Sequence, residues 1–176
     1  MTVAGVSDYG ELIEPATLRI RRLLPGPIER VWAYLTDSEL RKQWLAAGDM
    51  DLHAGALFEL VWRNGELADV PSMRPDGVSE ESRMKSRIIE VKAPTTLVFA
   101  WGDSGEVRID LEAKGADVLL TLVHRRLAHD QLLIVSAGWH MHLDILNARA
   151  SGAAPLPFWE GWRRLQSDYA TRFQSH

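Results

Sequence analysis

Histidine can accept, donate or carry a proton near neutral pH, and two of the six histidines fall in apolar stretches. His124 follows Leu120 and Leu122 at alternate positions, so on a strand the three share one face. His142 lies three residues after Trp139, so on a helix those two share a side. An inward histidine has two readings. It is either a core group bonded to a backbone carbonyl, or a polar handle that orients an otherwise apolar ligand and could serve as acid or base. Trp62 and Trp101, with Phe58 and Phe99 nearby at even spacing, supply flat aromatic walls from two further strands. The candidate cavity set is therefore Phe58, Trp62, Phe99, Trp101, His124, Trp139 and His142. It suits a small hydrophobic or aromatic molecule.

Other chemistries lack their residues. There is no cysteine, which removes disulfides, thiol nucleophiles and thiolate metal sites. His140 and His142 are two apart and point roughly 200° from each other on a helix, so they do not chelate one ion as neighbours. HExxH and carboxylate-rich calcium loops are missing. No metal and no cofactor is expected. GxSxG is also missing, and Ser136 and Ser151 have no base nearby in sequence. Gly102-Asp103-Ser104-Gly105 is too short and acidic for a phosphate loop and reads as a hairpin. No catalytic residue is assigned. The net charge is −4, with basic and acidic residues interspersed, which does not mark a nucleic-acid surface. No apolar run approaches the roughly 20 residues of a membrane span. The opening MTVAGVSDYGELIE has no apolar core and is not a signal peptide. The expectation is a cytoplasmic protein, monomer or homodimer, without nucleic-acid or membrane partners.

The elements follow from periodicity. Residues 1–15 read as a flexible arm, and 16–176 as one domain. A strand over 16–24 sets Leu18, Ile20 and Arg22 on one face and Arg19 and Arg21 on the other; its three arginines make either a small basic patch or, in the preferred reading, a solvated strand. Pro27 opens a helix with Ile28, Val31, Trp32 and Leu35 on one side. Thr36-Asp37-Ser38 stops it and caps a second helix holding Leu40 and Trp44, closed by Gly48. Strands are expected at 50–52, 57–63, 83–91, 97–101, 107–112 and 119–124. The polar stretch 64–82 is either a mobile lid or an insertion. Asp130 is placed to cap a long helix to about Ala150, ended by Gly152. A final short helix carries Phe158, Trp162, Leu165, Tyr169 and Phe173. Trp32 and Trp44 should pack the two short helices on the sheet, and Trp159 and Trp162 should dock the last helix. His140 and Asp144 read as an exposed pair. The fold class is α+β, with an antiparallel sheet of about seven strands around one long helix.

The strings LPGPIERVWAYLTDSELRKQWL (24–45), LLTLVHRRL (119–127), SAGWHMHLDIL (136–146) and PFWEGW (157–162) resemble the SRPBCC superfamily. The branch they most resemble is named after the activator of the heat-shock-ninety ATPase. The resemblance implies a helix-grip, START-like fold with a small-molecule cavity. It also implies three classes of function: a ligand-binding protein, a polyketide cyclase or aromatase using His124 or His142, and a chaperone co-regulator or stress-response protein. The first leads. The activator proper carries a further N-terminal domain, for which a first strand near Ala16 leaves no room.

Overall fold

The computed structural model describes residues 7–174. Its elements are β1 (Glu11–Glu14), β2 (Thr17–Pro25), α1 (Ile28–Thr36), α2 (Ser38–Arg41), β3 (Leu57–Trp62), β4 (Ser82–Lys92), β5 (Thr96–Trp101), β6 (Gly105–Lys114), β7 (Asp117–Arg125), α3 (Leu132–Ser151) and α4 (Phe158–Gln174). The strands make one antiparallel sheet in the order β1-β2-β7-β6-β5-β4-β3. The curved sheet grips α3, as the α+β helix-grip expectation requires.

Alternation sets the inner face. Leu18 and Ile20 of β2, Val107, Ile109 and Leu111 of β6, and Leu120, Leu122 and His124 of β7 are all buried. Register pairs Val107 with His124 and Leu111 with Leu120. The side-chain period of two therefore turns each set inward together. Gly152, with φ 74°, ends α3 in the left-handed conformation.

The two short helices form a V held by one buried cation. Asp37 ends α1, and its carboxylate accepts from Leu40 N at 3.1 Å to cap α2. Arg41 is buried and donates to the carbonyls of Leu35, Ala46 and Gly48. Burial pushes its guanidinium down to about 10. The second helix stops at Arg41, so Trp44 sits in the following turn, where its indole donates to Tyr34 O at 2.8 Å.

Several expectations are corrected. Residues 11–14 of the expected arm form an edge strand, with Leu12 opposite Leu18; residues 1–6 lie outside the described residues. Residues 50–52 are not a strand; Ala47 bridges Val61 instead. Asp130 caps nothing, because a 3-10 turn over His129–Gln131 precedes α3 and Gln131 is its N-cap. The stretch 64–82 opens with a 3-10 turn and is tied to α4. Glu160 accepts from Met73 N at 2.6 Å and Ser72 Oγ at 3.0 Å, and Arg163 donates to Met73 O at 2.6 Å.

The final helix stands where Phe158, Trp162, Leu165, Tyr169 and Phe173 place it, as α4. It is 17 residues long and lies along the side of α3 away from the sheet. At Gly161 the helices come so close that an added Cβ would collide with Met141 Sδ. That cover buries His140, which was expected outside. Arg22 is likewise buried rather than solvated, and bonds Asp144 of α3 at 2.9 Å. Its position fits the inward alternation of Leu18, Ile20 and Leu24.

Two glycines with positive φ separate strain from collision. Gly115 (φ +61°) has nothing within 4 Å of an added Cβ, whereas at Gly48 (φ +136°) that Cβ would strike the Glu59 carbonyl. Gly115→Ala is expected to cost about 1 kcal/mol. Gly48→Ala is expected to cost at least about 2 kcal/mol more. Urea unfolding of both variants checks this, and equal losses would contradict it.

Candidate functional site

A cavity of about 400 Å³ opens between α3, α4 and the β3–β4–β5 part of the sheet. Five of the seven tryptophans line it: Trp62 of β3, Trp101 of β5, Trp139 of α3, and Trp159 and Trp162 of α4. The 64–82 stretch adds Asn64 and Val78, and α3 adds Gly138 and His142. No lining side chain is charged.

The rings buttress one another. Centroids lie 5.6 Å apart for Trp62 and Trp101, 5.5 Å for Trp101 and Trp139, and 5.4 Å for Trp159 and Trp162. Tilted and edge-to-face contacts of this kind are favourable. They hold broad side chains in place, so the walls do not fold into the space.

Four members of the sequence-derived set, Trp62, Trp101, Trp139 and His142, are on the wall. Phe58 and Phe99 are not; they pack against each other in the core, centroids 6.0 Å apart. His124 is not on the wall either. It is fully buried behind Trp101 and Trp139, and the hollow does not reach it. Trp159 and Trp162 were read only as docking residues. They dock, through the Trp162 indole on Ile134 O at 3.1 Å, and they also face the cavity. Their periodicity placed them on a helix, but only the path of α4 reveals what that helix covers.

Three buried histidines have their protons assigned by their neighbours. The Trp139 indole donates to His124 Nδ1 at 3.0 Å. The His124 hydrogen therefore sits on Nε2, which is enclosed and without a partner. An unpartnered buried donor costs about 1–3 kcal/mol. On the other side of α3, Gly10 N donates to the Tyr169 hydroxyl at 2.7 Å. That hydroxyl lies 2.9 Å from His140 Nδ1, and the Asp144 carboxylate 3.5 Å from Nε2 favours the ring hydrogen on that side, so the hydroxyl donates to Nδ1. The third, His142 Nδ1, lies 2.8 Å from Trp44 O. This is the backbone-carbonyl reading of an inward histidine, realised on a residue that also lines the cavity. Burial pushes His124 and His140 down to about 3 and His142 to about 4; the charges of Arg22, Arg164 and Arg172 add to the effect on His140.

The model of the Activator of Hsp90 ATPase homolog 1-like protein family matches residues 25–151. The chain belongs to this family. A solution NMR structure of a protein from Bordetella parapertussis is similar over 98% of this chain and 95% of its own, at 33% identity and a TM-score of 0.78. The crystal structure of CalU16 from Micromonospora echinospora shares the fold, with 23% identity over 88% of this chain and 86% of that one, and a TM-score of 0.65. So does DynU16, described as a protein of the dynemicin biosynthetic locus. It shows 17% identity over 81% of this chain and 49% of its own, with a TM-score of 0.64. Comparison with curated proteins gave no match. These findings agree with the SRPBCC resemblance and its helix-grip fold. The family match stops at the last residue of α3, so the part of the cavity wall contributed by α4 lies beyond it.

The histidines give a signed pH dependence. Each is held neutral in the folded state but protonates near 6.5 when unfolded. The unfolded chain then binds more protons, so stability present above pH 6.5 is lost as pH falls toward 4. Near pH 5 the slope is expected to approach about three protons, or roughly 4 kcal/mol per pH unit. Urea midpoints measured from pH 7 to pH 4.5 check this; a flat profile would contradict it.

Proposed function

We propose that this protein is a binding protein for a small, uncharged, aromatic or otherwise apolar molecule, held in the tryptophan-lined cavity. The observation that carries this reading is an aromatic space of about 400 Å³ without a charged side chain on its wall. A guest that hides roughly 200 Å² of apolar surface gains about 5 kcal/mol before the costs of association. An ionic guest would give up its hydration with no counter-charge to meet it.

A cyclase-type reaction needs an acid or base on the wall. His124 is off the wall, and His142, held at about 4, has little proton affinity at pH 7. The binding reading is favoured for that reason. The family name describes a chaperone activator; that role would use an outer surface, whereas the tryptophan-lined cavity lies between α3, α4 and the sheet. The cysteine-free chain suits a reducing cytoplasm, where we place the protein.

Gly138 offers a clean test. It lines the cavity, and an added Cβ there meets nothing within 4 Å. Gly138→Leu should fill the space while keeping or raising the melting temperature, because leucine favours a helix interior by about 1 kcal/mol over glycine. Naphthalene should bind the wild type and bind Gly138→Leu at least about tenfold more weakly, a loss of about 1.4 kcal/mol. Unchanged binding in a folded variant would refute the cavity as the site.

A further inference from the structure

One polar group on this apolar wall has its proton position fixed by the fold. His142 Nδ1 lies 2.8 Å from the Trp44 carbonyl oxygen. A carbonyl only accepts, so Nδ1 carries the hydrogen. Burial, opposed in part by that hydrogen bond, holds the ring down to about 4 and therefore neutral near pH 7. A neutral imidazole has one N–H, which leaves Nε2 as a bare lone pair. No protein group among the described residues bonds it. Among the described residues, the enclosed side-chain atoms without partners are Asn64 Oδ1, His124 Nε2 and Ser136 Oγ. His142 Nε2 is not one of them, so it retains accessible surface on a residue that lines the cavity.

The direction of this group is locked. Moving the hydrogen to Nε2 would set the Nδ1 lone pair against the Trp44 carbonyl in a buried site. The indole N–H groups of Trp62, Trp101 and Trp159 only donate and so add no acceptor, and two further wall groups take either role. The Ser82 hydroxyl donates or accepts, and the Asn64 amide presents either end by a half-turn. The Trp139 indole N–H is already used on His124, and that of Trp162 on Ile134. His142 is thus the wall group with a fixed acceptor role.

We infer that the cavity selects an uncharged aromatic guest bearing a hydroxyl of the phenol type, whose O–H donates to His142 Nε2. The inference rests on the cavity-binding reading above and adds polarity and orientation to it. A carboxylate or phosphate would turn lone pairs toward the Nε2 lone pair and find no cation on the wall. An ether of the same shape would fit the rings but leave Nε2 unpaired and stripped of water. An organic cation could lie over an indole face, but no carboxylate on the wall balances it.

Calorimetric titration of the wild type with four probes tests this: 2-naphthol, 2-methoxynaphthalene, 2-naphthoate and 2-naphthyltrimethylammonium. 2-Naphthol is expected to bind about tenfold more tightly than its methyl ether, and more tightly than either ion. In His142→Phe the difference between naphthol and ether should vanish while ether binding persists. A readout that needs no variant is the 15N signal of His142 Nε2 in the wild type. It should move with 2-naphthol and stay with 2-methoxynaphthalene. Equal binding of naphthol and ether, or a stationary Nε2 signal, overturns the donor assignment and leaves the cavity reading standing. Tightest binding of either ion overturns the selection for an uncharged guest. Failure of every probe to bind removes the cavity reading and this inference together.

Discussion

Helix α3 is buried on two opposite sides, against the sheet and against α4, and the other features of the molecule follow from that constraint. A helix in this position has to satisfy its inward polar side chains from its neighbours. On the sheet side Trp139 reaches His124 of β7. On the α4 side His140 meets Tyr169, which also takes the Gly10 amide just before β1. Toward the helical V, His142 holds the Trp44 carbonyl. Arg22 of β2 reaches Asp144 beside them. One helix therefore ties the sheet, the V, the N-terminal edge strand and α4 into a single polar scheme with assigned protons.

The same constraint explains why a hollow persists. Along part of its length α3 presents Gly138 rather than a bulky residue, and the facing positions carry indoles that rest on one another. Indoles are broad and have few rotamers, so they span a gap without filling it. The loop after β3 supplies Asn64 and Val78 and is fastened to α4 through Ser72, Met73, Glu160 and Arg163. The mouth is thus built from segments held by polar bonds at the surface, and the interior stays apolar.

Much of the scaffold was legible in the sequence. The alternation in 107–112 and 119–124 sets the meander and its inner face, Asp37 caps where its side chain predicts, and Gly152 closes α3. Local signals were weaker where tertiary contacts decide. Glu11–Glu14 is too short and acidic to read as a strand, and its order comes from β2 and from the Tyr169 hydroxyl. His140 and Asp144 fit an exposed helical pair until α4 covers the histidine. Arg22 sits at an inward position that its charge argues against, and Asp144 across the gap, with the carbonyls of Asp8 and Arg21, makes that position tenable. In the site, Trp62, Trp101, Trp139 and His142 follow from face and spacing alone. Phe58, Phe99 and His124 share those faces but lie deeper, and depth is set by sheet curvature, which periodicity does not report. Trp159 and Trp162 entered the wall through the path of α4, a long-range fact with no local trace.

Five tryptophans surround one accessible apolar space, and Trp32 and Trp44 lie outside it. Fluorine NMR of 5-fluorotryptophan-labelled protein, titrated with naphthalene, tests it directly. The signals of Trp62, Trp101, Trp139, Trp159 and Trp162 are expected to shift together while those of Trp32 and Trp44 stay in place. Shifts at Trp32 and Trp44, or no shift at the five, would contradict it.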